Sequence, residues 1–131
     1  MLPTTLQFAI GGFNGGCHRV EWHQGKLQYR HADGAFLWHQ PIELSPSSEA
    51  WARFWLAVET AGVWRWSAVY HDHEIMDGTQ WSLELEHQGQ TLKTTGSNAY
   101  PGCVGPDYSD SSEFGQLLKA LRHLTGIKTI R

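Results

Sequence analysis

Apolar and polar residues alternate from Thr4 to Ile10, with Leu6, Phe8 and Ile10 on one side and Thr5 and Gln7 on the other. Successive side chains of an extended chain point to opposite faces, so this period of two predicts a strand with one buried face. Gly11-Gly12-Phe13-Asn14-Gly15-Gly16 interrupts it with residues suited to turns. Val20 and Trp22, then Leu27 and Tyr29 across His23-Gln24-Gly25-Lys26, predict a hairpin. Ala32-Asp33-Gly34 is a further turn, and Ala35 to His39 is expected to extend the sheet. Later, Trp64, Trp66, Ala68 and Tyr70 alternate in a strand, and His71 to Thr79 reads as a polar loop. Trp81, Leu83 and Leu85 go out and Leu92 and Thr94 return in a second hairpin, before an irregular stretch from Gly96 to Ser109.

Two segments switch to the helical period. After Ser45-Pro46, expected as N-cap and first helical residue, Trp51, Phe54, Trp55, Val58 and Ala61 share a face until Gly62 stops the helix. Asp110 and Glu113 suggest a capping box for a second helix, with Phe114, Leu117, Leu118, Leu121 and Leu124 as its apolar face and Gly126 as its end.

The halves have parallel organisation. A shift of 63 residues carries the first apolar helix face onto the second, and Val20 and Trp22 onto Leu83 and Leu85. Beyond the hairpin the shift becomes 65, and His-Gln-Gly occurs in both turns. The reading is one domain over residues 1–131, with an internal repeat of 4–62 and 63–127 to be tested. The expected class is α+β: an antiparallel sheet of about six strands with two helices on one face, formally a duplicated βββα unit. The uncovered face would carry Arg19, Glu21, His23, Gln28 and Arg30 in the first half and Ser82, Glu84, Glu86 and Lys93 in the second. That mixture of charges reads first as a solvated surface and second as a recognition surface.

Composition narrows the function. The chain has 131 residues, 40 % of them hydrophobic and 18 % charged, enough to form an apolar core in a single domain. Ten Lys and Arg against thirteen Asp and Glu argue against a nucleic-acid surface, although Lys119, Arg122, His123, Lys128 and Arg131 gather near the second helix's end. Cations there suit the helix dipole without further explanation. No apolar run is long enough to span a membrane and no secretory leader pattern is found, so the expectation is a soluble cytoplasmic domain. Seven tryptophans and eight histidines are many for this length, and protonating every histidine would add eight charges to the formal −3.

The densest chemical cluster is His71-Asp72-His73-Glu74 with Asp77 after it. Imidazoles two apart on an extended segment point the same way, and a carboxylate four residues on can complete a three-ligand transition-metal site. His71, His73 and Asp77 are therefore the candidate metal ligands; beyond them no cofactor is expected. The spacing is similar to the first cupin motif, but the surrounding glycines differ and no second cupin motif follows. Cys17 beside His18 is a nucleophile–base pair by composition only, because neighbours on a strand face opposite ways. The glycines at 11, 12, 15 and 16 lack a Walker ending and read as a turn.

Asp77-Gly78-Thr79-Gln80-Trp81-Ser82-Leu83-Glu84-Leu85, then Gly96-Ser97-Asn98-Ala99-Tyr100-Pro101 and a Leu-rich amphipathic helix, resembles an uncharacterised family of small bacterial proteins. The resemblance covers about half the chain. It implies a bacterial source and a compact α+β domain, and it carries no activity. On physical grounds Asn98 suits a left-handed turn with Tyr100 packed beside Trp81. The functional version of that arrangement is a small pocket in which Trp81, Asn98 and Tyr100 hold a ligand.

The leading expectation is a non-enzymatic binding or interaction module for a protein or small ligand, working through the open sheet face or the loop after Gly96. Surplus Trp and Tyr, which favour interfaces, support it. The rivals are a metal-binding protein or metal-dependent enzyme on His71, His73 and Asp77, and a homodimer with no small-molecule ligand.

Overall fold

The computed structural model describes residues 2–12, 15–34, 37–72, 78–105 and 107–131. The strands are β1 (Thr5–Gly12), β2 (Gly15–His23), β3 (Lys26–Ala32), β4 (Ile42–Leu44), β5 (Val69–His71), β6 (Thr79–His87) and β7 (Gln90–Ser97). The helices are α1 (Ser48–Thr60) and α2 (Glu113–Thr125). One sheet contains every described strand, in the order β4-β3-β2-β1-β6-β7-β5. The α+β class expected from the sequence is observed, with seven strands in place of about six.

The sheet is also mixed. All neighbours are antiparallel except β5 and β7, where Val69, Tyr70 and His71 run parallel to Thr95, Gly96 and Ser97. The cause is topological. β4 closes one edge, α1 carries the chain under the sheet, and β5 starts at the other edge in the direction the crossover imposes. The strand expected over Trp64–Tyr70 is consequently shorter. Gly62 adopts a left-handed conformation and Val63–Arg65 form a 3₁₀ turn, leaving Val69–His71 for the sheet. The extension expected over Ala35–His39 reduces to a bridge between Ala32 and Trp38, with Ala35 and Phe36 outside the described residues.

The core follows the period-two pattern. Leu6, Phe8, Ile10, Val20, Leu27, Tyr29, Trp81, Leu83 and Leu85 are all buried on the helix-facing side. Trp51, Phe54, Trp55, Val58 and Ala61 of the α1 region, and Phe114, Leu117, Leu118, Leu121 and Leu124 of α2, complete it. Burying each such side chain contributes about 1.5–3 kcal/mol, so these two faces dominate the stability of the domain. Phe114 joins the layers, with its ring centroid 4.8 Å from Trp81 and 6.5 Å from Phe8.

Both helix starts lie two residues beyond the expected caps. Ser47, not Ser45, accepts a hydrogen bond from the Ala50 N–H at 3.1 Å, and Ser112, not Asp110, accepts from the Gly115 N–H at 3.1 Å. At α2 the choice is steric. Gly115 sits against the Ser109 carbonyl with no room for a Cβ, so the chain folds back over Ser109 and Asp110 before the helix begins.

The two hairpins share their turn. Gln24 and Gly25 have φ of 52° and 78°, and Gln88 and Gly89 have φ of 49° and 81°. Positive φ at both central residues is the two-residue turn whose twist matches antiparallel strands. The two residues that raise the shift from 63 to 65 are therefore not in the turn. Each arm of the second hairpin is one residue longer, pairing His87 with Gln90 beyond the Leu85–Leu92 pair, where the first pairs His23 with Lys26 beyond Trp22–Leu27. One added residue moves a side chain to the other face. His23 therefore faces outward, and His87 turns inward onto Trp55, with ring centroids 3.7 Å apart. No described helix is long and apolar enough to cross a membrane.

Candidate functional site

Of the three predicted metal ligands, His71 lies exposed at the end of edge strand β5, while His73 and Asp77 fall outside the described residues. Trp81, Asn98 and Tyr100 are brought together and all are buried. The Trp81 indole N–H donates to the Ala99 carbonyl at 2.9 Å. The Asn98 side-chain oxygen accepts from the Thr79 N–H at 2.9 Å, and the Asn98 N–H donates back to the Thr79 carbonyl at 2.9 Å. Tyr100 stacks edge-on against Tyr108 at 4.9 Å and leans on Phe114 at 4.8 Å. Burial raises the Tyr100 hydroxyl pKa above the usual tyrosine range. Two glycines make the assembly possible: a Cβ on Gly78 would collide with Asn98, and one on Gly96 with the Trp81 indole. Asn98 and Tyr100 also line a cleft of ≈ 930 Å³, shared with Tyr108, Arg122 and Arg131.

Cys17 and His18 point to opposite faces, as adjacent strand residues must. Cys17 is a free thiol against the Gly12 carbonyl, and Cys103 is free as well. His18 is buried on the helix side, where its Nδ1 lies 2.7 Å from the Tyr29 hydroxyl. Burial and the neighbouring His31 both lower its pKa, so the imidazole is neutral at pH 7.

A cluster that the sequence reading did not single out lies beside it. His31 and Asp33 straddle Ala32 at the end of β3, and the chain returns so that the His39 N–H donates to the His31 carbonyl at 2.8 Å. The two imidazoles stack with centroids 5.3 Å apart and planes 9° apart. Asp33 serves both: Oδ2 is 2.7 Å from His39 Nε2, and Oδ1 is 3.6 Å from His31 Nε2. The hydrogen bond from His39 holds the Asp33 carboxyl below the usual carboxylate range. These groups open onto a cleft of ≈ 850 Å³ with Tyr29, Gln40, Ile42, Thr129 and Arg131. The sequence signal was available, because His31-Ala32-Asp33 has the same-side spacing of His71-Asp72-His73. What was missing was the fold-back that adds His39.

Among the described residues no helix or strand covers the opposite face of the sheet. Its floor near the β1–β6 pair is made of small residues (Ala9, Gly11, Ser82 and Thr95) in a trough of ≈ 780 Å³. Trp38 forms one wall, its ring 5.1 Å from the Arg19 guanidinium, and Val69 and His71 line the other. Arg19 and Arg30 stand directly opposite each other across β2 and β3.

Among the described residues the fold is an α+β domain with one mixed seven-stranded sheet, two helices on one face and none on the other. No protein-family model matches the chain, and no curated protein matches its sequence significantly.

Proposed function

We propose that the chain is a non-enzymatic binding module of the cytoplasm, and that it seats an acidic, extended segment of a partner protein on the bare face of its sheet. The observation that carries this reading is the trough floored by Ala9, Ser82 and Thr95 and walled by Trp38 stacked on Arg19. Small side chains let another backbone approach closely, and Trp and Arg are among the residue types enriched at the energetic centres of interfaces. The facing pair Arg19 and Arg30 supplies the charge preference. Like charges directly opposite on a sheet are destabilising, and neither guanidinium has an ion-pair partner among the described residues. A ligand carboxylate would offset that repulsion.

The test is titration with fluorescein-labelled peptide pools, one rich in Asp and Glu and one rich in Lys. The expected result is binding of the acidic pool only, weakened about tenfold in Trp38→Ala and in Arg30→Ala, since such anchors carry most of an interface's energy. Unchanged melting in both variants would confirm that the fold is intact. Equal binding of both pools, no binding, or full affinity in both variants would overturn the reading. A dimeric solution mass that reverts to monomer in Trp38→Ala would overturn it in favour of a second copy on this face.

A further inference from the structure

We propose that His31, Asp33 and His39 form a binding site for a divalent transition metal of the zinc type. The inference stands on residues of the helix-facing side and does not rest on the reading of the bare face. One donor atom from each of the three residues lies within 4.8 Å of the other two. Bonds of about 2.0–2.1 Å in tetrahedral geometry place neighbouring donors about 3.3 Å apart. Asp33 Oδ2 lies 2.7 Å from His39 Nε2 and Asp33 Oδ1 lies 3.6 Å from His31 Nε2, on either side of that value. Small side-chain rotations therefore admit an ion where the carboxylate now takes a hydrogen bond.

The supports of the ligands fit as well. The His39 N–H to His31 carbonyl bond ties the two ligand-bearing segments together, so little chain entropy remains to be lost on binding. His31 is backed by the His18 ring at 5.6 Å, and His18 is itself held by Tyr29. Donor type selects the ion. Two imidazoles and one carboxylate suit zinc, iron or manganese, whereas calcium and magnesium prefer all-oxygen sets. Three protein ligands leave at least one coordination position free, and the cleft the three share is lined also by Gln40, Thr129 and Arg131.

The site also bears on Trp38. Ala32 pairs with Trp38, and His39 follows it, so one short segment presents an aromatic wall to the bare face and a metal ligand to the other. An ion held by His39 fixes both.

The experiment uses untagged protein stripped with chelator, titrated calorimetrically with zinc and spectroscopically with cobalt. The expected result is about one ion per chain, with cobalt absorption of four- or five-coordinate intensity. Affinity falls at least tenfold in His39→Ala and in Asp33→Asn, both exposed positions whose melting temperatures monitor folding. His71→Ala keeps full affinity. The site is overturned by absence of binding at micromolar zinc, by unchanged affinity in both His39→Ala and Asp33→Asn, or by loss of binding in His71→Ala alone.

Discussion

His87 lies flat on Trp55, with ring planes 3° apart. Burial disfavours the imidazolium, so the folded pKa is below the ordinary value of 6.5. The unfolded chain then binds the proton more readily than the folded one. Stability from this group is full above about pH 6.5 and is lost as the pH falls from there through the folded pKa. Urea denaturation at pH 7.5 and pH 5.0 should show a smaller acid loss in His87→Phe, which keeps the stack and removes the proton site. His18, lowered in the same direction, leaves part of the slope in place. Identical slopes in the two proteins would refute the assignment.

Gly96 faces the Trp81 indole across β6 and β7. Adding a methyl there overpacks a filled site, which typically costs about 1–3 kcal/mol. Gly96→Ala should lower the unfolding free energy by that amount and the denaturant midpoint with it, whereas Gly34→Ala, where a Cβ meets only Leu37 at 3.7 Å, serves as the control. A midpoint for Gly96→Ala at or above wild type would mean that the indole has room to move.

Asn98 combines a φ of 55° with a side-chain acceptor for Thr79. Removing the acceptor leaves the part-buried Thr79 N–H without its partner, at about 1 kcal/mol. Alanine adds left-handed strain of roughly 1–2 kcal/mol, which glycine avoids. Asn98→Ala should therefore be less stable than Asn98→Gly, and both less stable than wild type, in chemical denaturation. If neither variant loses stability, the side chain does not brace the turn.

Ser47 and Ser112 each accept one of the first free N–H groups of a helix. Ser47→Ala and Ser112→Ala should each cost about 1 kcal/mol. Ser45→Ala and Asp110→Ala, at the caps expected from sequence, should be near neutral by the same measurement. The reverse ranking would place the helix starts two residues earlier.

What the sequence determined by itself was local. The period-two rows of β1, β2 and β6, the helical faces of α1 and α2, and the stops at Gly62 and Gly126 follow from side-chain geometry over a few neighbouring residues. Trp51 and Phe114 could thus be assigned to the core from spacing alone, and both are buried. The parallel placement of β5 depended on hydrogen bonds to β7, some 26 residues away in sequence. The inward turn of His87 depended on one added residue in each hairpin arm. In the sequence, the histidines spaced for a metal are His71 and His73, two residues apart. The cluster that closes in space needed His39 to fold back onto His31, and that fold-back is decided by backbone pairing at the sheet end. Short-range periodicity records which side a residue faces; only the packed chain decides which residue it faces there.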